Sequence, residues 1–422
     1  MKLLDLKKQI QEYQYFEDTN IIDIALSSII ANRLKLGDAV WLVIIGPSSG
    51  GKSQILRPLA LTDPRFLHRL DDLTENTFLS GMQLGKGKGE PSLLHRIGEK
   101  GMLVMSDLTV LFSKAKESRA TILSQFRMLY DGEMTKFSGT SDKPITWKGY
   151  LGVLAGSTPS IYSHFEEVSD MGERFIYYRM KEYDAEKATR LSMSRKTFGK
   201  DLDEKLAELY ESYLRETILD YNKSATEIKL TQEAQDRILS IAMLSEKIRT
   251  TSHKQFRDNV IDRLPVPAMP MRVALQLTAV AKGLAVIRQH EDGTTELNQN
   301  DLSAIEWCGY SLANEEKRAC LRTLCKIKFG DSLKTQTVAD EVGLDTSIIG
   351  SILQNLASVG VVVRSGDGSG SLTWRLRNEG EYNIIRRVER IQEVIDFDER
   401  EISDEEAEIK SQALEKELDK IF

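Results

Sequence analysis

An α/β fold built on a parallel sheet is what this sequence predicts, followed by a helical region and a winged-helix unit. Three observations point there. Three short apolar runs, AVWLVIIG, GMLVMSD and YLGVLAGST, read as buried strands, and RFIYYRM as a fourth strand. The first runs through the glycine-rich turn GPSSGGKS straight into a helical pattern, the opening unit of a parallel sheet. From about residue 186 the pattern turns wholly helical, and residues 319–378 change character once more.

The elements follow in order. Residues 20–36 (NIIDIALSSIIANRLKL) place apolar side chains at helical spacing and end at the turn Gly37-Asp38. The buried runs at 101–107 and 150–158 give two further strands, with the helix SRATILSQFRMLYDG between them. RFIYYRM (174–180) is more polar and is expected nearer a sheet edge. The helical region contains KLAELYESYLRETILDY, TQEAQDRILSIAMLSEKIR and, after the proline-rich break RLPVPAMP, MRVALQLTAVAKGLAVI. Residues 319–378 read as three short helices and the glycine-tipped hairpin VVVRSGDGSGSLTWRLR, the pattern of a winged helix. The expected division is a P-loop core at 1–185, a helical lid at 186–318, a winged helix at 319–379 and an acidic helical tail at 380–422.

At 422 residues the chain is long enough for several structural units around a large core. The three cysteines, Cys308, Cys320 and Cys325, lack metal-ligand spacing and read as reduced thiols of a cytoplasmic protein. No apolar run is long enough to cross a bilayer, and the first residues do not read as a signal peptide, so no membrane partner is expected. The net charge of −7 is concentrated: residues 393–422 carry twelve acids against four bases. The remainder is close to neutral, which leaves room for a basic channel.

GPSSGGKS satisfies G-x-x-x-x-G-K-[ST] between a strand and a helix, the context this motif requires. Its glycines let backbone N–H groups turn toward phosphates, and the helix N-terminus adds partial positive charge. Gly46, Pro47, Ser48, Ser49, Gly50, Gly51, Lys52, Ser53 and Gln54 are the expected nucleotide-binding residues. Lys52 would reach the β- and γ-phosphates of ATP, and Ser53 would ligate Mg²⁺. A second apolar strand should bring an acid to the same edge, and GMLVMSD ends on Asp107. Two registers remain open: Asp107 serves the metal and the water-activating acid is missing, or Ser106 occupies the metal position and Asp107 is the base.

The order of these motifs resembles that of AAA+ ATPases, in particular the minichromosome-maintenance-like helicases and their relatives in phages and mobile elements. The resemblance covers roughly residues 20–318. It implies a strand of the form G-h-h-h-h-D-E (h, apolar), on which Asp107 takes the Glu position and Ser106 replaces the Asp. It implies a polar sensor in VLAGSTP, nominating Thr158, and an arginine finger in GERFIYYRM, nominating Arg174. It also implies a second sensor arginine at the start of a lid helix, which PAMPMRVALQ supplies as Arg272. A finger completes a neighbour's site, so a homo-oligomer, most simply a hexameric ring, is expected.

The same resemblance suggests two loops for single-stranded or forked DNA: QLGKGKGEPS, with Lys86 and Lys88, and a hairpin over 134–149, with Lys136, Lys143 and Lys148. The presumed recognition helix, DTSIIGSILQNLASVG, has no Lys or Arg, and offers bases only Thr346, Ser347, Gln354 and Asn355. A protein partner for the winged helix and the acidic tail is therefore as well supported as DNA. The expected function is an oligomeric ATPase acting on DNA as a helicase or translocase in mobile-element or phage replication, with Glu133 or another nearby acid assisting hydrolysis. The alternative is an ATP-gated assembly switch, a loader or a transposition or defence regulator, without unwinding.

Overall fold

The computed structural model describes residues 1–79, 92–137, 144–164, 174–181, 184–224, 227–251, 265–365 and 372–392. Lys86, Lys88, Lys143 and the acidic stretch from 393 onward lie outside them.

Five strands form one parallel sheet. They are β1 (Trp41–Ile45), β2 (Leu67–Arg69), β3 (Lys100–Met105), β6 (Tyr150–Ser157) and β7 (Ile176–Arg179), in the order β2-β3-β6-β1-β7. A separate antiparallel hairpin, β4 (Glu133–Lys136) with β5 (Ile145–Lys148), runs into the start of β6. All five residues of β1 are buried, as a central parallel strand requires. β7 is an edge strand as expected, yet Ile176, Tyr177 and Tyr178 are buried because helices 271–292 and 299–310 pack on it. The other edge, β2, has only three residues, and LHR gives no strand signal.

Helices α1 (Leu3–Gln11) and α2 (Asn20–Leu34) precede the sheet. α2 is apolar on every side because it packs on β3 and β6 and is backed by α10 (Met271–Asp292). Gly283 of α10 meets it there: a Cβ at that position would stand 2.3 Å from the carbonyl oxygen of Ser27. Asn32 of α2 clamps Val40 at the mouth of β1, donating to its carbonyl (3.0 Å) and accepting from its N–H (2.9 Å).

α3 (Lys52–Thr62) follows the phosphate loop and contains Pro58. Proline cannot donate to the carbonyl four residues back, which belongs to Gln54. The Gln14 side-chain amide takes that place at 2.7 Å, tying the N-terminal segment to the loop's helix. Between β2 and β6 lie α4 (Leu93–Ile97), α5 (Thr109–Phe112) and α6 (Lys116–Tyr130).

The region beyond β7 is mostly helical, with α7 (Ala185–Ser194), α8 (Gly199–Ser224), α9 (Gln232–Arg249), α10 and α11 (Gln299–Tyr310). α11 begins with a full capping box between Asn298 and Asp301. The C-terminal unit comprises α12 (Glu315–Leu324), β8 (Leu333–Lys334), α13 (Thr335–Val342), α14 (Thr346–Ser358), β9 (Val362–Ser365), β10 (Thr373–Leu376) and α15 (Glu379–Glu389). Its three strands form a small sheet in the order β8-β10-β9.

The segment expected as an acidic helical tail from 380 opens with a docked helix. α15 is docked on α11 through Glu306, a fully buried carboxylate that receives Arg237 (2.6 Å) and Arg387 (2.5 Å). Burial of one acid between two guanidiniums holds only when both stay in place. No helix among the described residues is long and apolar enough to cross a membrane.

Candidate nucleotide site

The C-terminal edge of the sheet collects the phosphate-loop residues, Asp107 and Thr158. The loop leaves β1 at Gly46, whose N–H donates to Ser157 at the end of β6 (3.2 Å). Ser49 and Gly51 both adopt the left-handed conformation, at φ 61° and 86°. Gly51 is the residue that suits it, and it is the turn into α3. Gly46 lies against Met180: a Cβ there would stand 2.7 Å from its Sδ, and that side chain would have to shift. Lys52 and Ser53 open α3, where amides have no carbonyl one turn behind them and point out of the helix. The N–H of Gln54 is already turned back to Gly51 (3.0 Å) and that of Gly50 to Pro47 (3.1 Å).

The Lys52 side chain is buried and donates through Nζ to the carbonyls of Gly46 (2.8 Å) and Pro47 (2.6 Å). Burial pulls its pKa below that of an ordinary lysine, and the nearby Asp107 carboxylate acts in the opposite sense. Asp107 is exposed just past β3, with Oδ1 accepting from the N–H (2.8 Å) and hydroxyl (2.5 Å) of Thr109. That Asx-type turn fixes the carboxylate and leaves Oδ2 for a further donor. Thr158 follows β6, the strand between β1 and β3, and shares a 2.6 Å hydrogen bond with Ser160. The left-handed loop, the buried ammonium at its mouth and the open helix N-terminus suit a phosphate chain. Ser53 and Asp107 are the residues that could hold its metal.

The other nominated residues sit elsewhere. Arg174 lies just before β7, at the N-terminal edge of the sheet. Its backbone carbonyl accepts from Gln276 (3.0 Å), whose side chain also accepts from the Trp41 N–H (2.8 Å). Arg174 as a finger presented to a neighbour is not what the structure shows. The side chain is 5% exposed, donates to both oxygens of Asp131 (3.0 and 3.1 Å) and lies 5.5 Å from the Tyr130 ring centroid. Desolvation pulls the Arg174 pKa down, and the Asp131 carboxylate offsets part of that. Arg272, on the first turn of α10, is close enough to act electrostatically on both Arg174 and Tyr130. Both arginines therefore stand at the edge opposite the phosphate loop.

Three further expectations change. Glu133 cannot assist at Asp107, because β4 lies beside the start of β6, at the far edge, where it pairs with Lys148 (3.1 Å). Lys136 is not offered to DNA but holds the 75–79 turn, donating to Asn76 Oδ1 (2.6 Å) and to the carbonyl of Leu79 (3.2 Å). In α14, Asn355 is buried, Gln354 and Thr346 are half-buried, Thr346 bonds Gln336 (2.9 Å), and the exposed Ser347 bonds Asp345. Lys148 remains exposed on the hairpin, and at the hairpin's other end Phe137 is 81% exposed.

Sequence reasoning missed a group of cations beside the loop. A cavity of about 830 Å³ opens at Gly46, Pro47 and Pro159 and is closed on its far side by α12 and α15. Arg179 at the end of β7, with Arg318 and Arg322 of α12, converges there on Glu315. Arg179 could have been suspected from its place at a strand's C-terminal end. Comparison with known protein families and with curated proteins finds no match to this chain.

Proposed function

We propose that this chain is an ATPase of the AAA+ type, resembling the minichromosome-maintenance-like helicases, which binds ATP with Mg²⁺ and works as an oligomer on DNA. The observation that supports it best is the shared edge of Lys52, Thr158 and Asp107, on β1, β6 and β3 in spatial order. β1 and β3 are two strand spacings apart, about 9–10 Å. That gap leaves room for a terminal phosphate and an attacking water between the ammonium and the carboxylate. The loop amides and Lys52 would stabilise negative charge developing on the phosphoryl oxygens. The metal would neutralise phosphate charge, held by Ser53 and Asp107. Asp107, fixed by Thr109, either completes the metal's water shell or orients the attacking water.

Arg174 and Arg272 stand about 13 Å of strand away from that site, so neither serves the phosphates of its own chain, and Arg174 would have to leave Asp131 to reach those of an adjoining copy. In this reading α12–α14 with the β9-β10 hairpin form a winged helix whose exposed face suits a protein partner.

The burial of Arg174 against Asp131 favours a second reading, an ATP-gated assembly switch that oligomerises without unwinding. Turnover and strand-displacement assays with forked DNA separate the two. The motor requires ATP turnover that DNA stimulates and that Lys52→Ala abolishes. Normal ATP affinity with no turnover, with or without DNA, removes the motor, whereas ATP-driven assembly without strand displacement supports the switch.

A further inference from the structure

Helix α7 has ten residues, and none of them is buried. A helix this short is marginal in water on its own propensity, and most helices in proteins are held by packing one face. The Asp184 side chain caps it by accepting from the Lys187 N–H (2.9 Å), which serves one end only. The Glu186–Arg190 pair (2.6 Å) adds little, because its side chains are 72% and 76% exposed. Met193 of α7 is 79% exposed and Phe198, just beyond it, 57%.

The surroundings are basic. Residues 187–200 contain Lys187, Arg190, Arg195, Lys196 and Lys200 and no acid. Lys187 meets Asp184 and Lys200 meets Glu204, both at 3.2 Å and both between exposed side chains that are free to exchange partners. Arg195 is spent locally, donating to the Tyr13 carbonyl (3.1 Å) with its guanidinium 6.0 Å from the Phe198 ring centroid.

The same chain supplies the complement close by. Ala185, the first residue of α7, and Arg390, just past α15, line one cavity, so the acidic stretch departs from beside α7. Within that stretch the charge is concentrated at its start: residues 393–408 carry nine acids against Arg400 alone, interleaved with Val394, Ile395, Phe397 and Ile402. Sixteen residues reach about 50 Å when extended, and α7 is about 15 Å long. A tether this short keeps the effective concentration in the millimolar range, enough for contacts that are weak between separate molecules.

We propose that residues 393–408 dock on α7 of their own chain. Their carboxylates face Lys187, Arg190, Lys196 and Lys200, and their apolar side chains cover Met193 and Phe198. This goes beyond the ATP reading and does not depend on it.

Hydrogen exchange on the full chain, read by mass spectrometry, tests the docking. The variant Asp398→Asn/Glu399→Gln/Glu405→Gln/Glu406→Gln alters no residue of α7. Peptides spanning 185–198 should nevertheless exchange at least about tenfold faster in it than in the wild type, with β1 and α10 unchanged. Lys196→Ala/Lys200→Ala should give the same change from the other side. Raising NaCl to about 0.5 M should bring the wild type toward both variants, because exposed charges are screened. Carbodiimide coupling in a mixture of normal and isotopically heavy chains identifies the occupant. Links from Lys187, Lys196 or Lys200 to carboxylates of 393–408 should join only peptides of like label. Links between unlike labels would put a second copy on α7 and overturn the proposal. Exchange at 185–198 that is the same in the wild type and the carboxylate variant would overturn it too.

Discussion

The two edges of the central sheet carry cations in opposite ways. At the C-terminal edge Lys52 is buried beneath a loop whose carbonyls accept its protons, and a cavity begins where the ammonium ends. At the N-terminal edge Arg174 is buried just as deeply but is matched by a carboxylate, Asp131, which is itself 57% exposed. The first cation is held by neutral groups and keeps its charge for a ligand. The second is already neutralised within its own chain. Burial by itself thus says little about whether a basic residue is functional, and the nature of its partner says more.

Lys317 sharpens the point. Like Lys52 it is buried and donates through Nζ to two carbonyls, those of Ile248 (2.9 Å) and Thr250 (2.7 Å) at the end of α9. It lines no described cavity, and its role is to cap a helix C-terminus.

The comparison can be broken experimentally. Lys52→Ala should give the largest effect, weakening ATP binding by about 10²–10³-fold in calorimetry, the scale of a lost preorganised donor to phosphate charge. Its melting temperature should change little, since the variant removes a desolvated charge. Asp107→Asn should leave ATP affinity within a few-fold and reduce turnover by about 10²-fold, measured by phosphate release. The Lys317 prediction is one of pH. Burial lowers its pKa to about 8 against 10.5 in the unfolded chain. Between those values the unfolded state binds more protons, so stability rises with pH across that window. Below pH 8 the cost is fully present, about 3–4 kcal/mol. Denaturant titrations at pH 8 and 10 should show wild type gaining on Lys317→Met as pH rises. Arg174→Ala should have the smallest effect, about 1–2 kcal/mol in stability, because Asp131 is exposed enough to be rehydrated.

Much of this arrangement is legible in the sequence, and for identifiable reasons. β1, β3 and β6 announce themselves because strands covered on both faces must be continuously apolar, and the loop carries its own signature. β2 is silent because three residues cannot display a pattern. The packing of Arg174 is silent because its partner, Asp131, lies 43 residues earlier. The cation cluster joins Arg179 to Arg318 and Arg322, a convergence that only the docking of α12 on the core produces. Order of motifs places residues on strands, but which edge a side chain serves depends on the topology.

ATP binding to the isolated chain, compared among wild type, Lys52→Ala and the double variant Arg174→Ala/Arg272→Ala, tests the assignment of the two edges most directly. If one chain's nucleotide meets only the C-terminal edge, Lys52→Ala loses binding and the double variant binds ATP as wild type does. Loss of affinity in the double variant comparable to that of Lys52→Ala would contradict it.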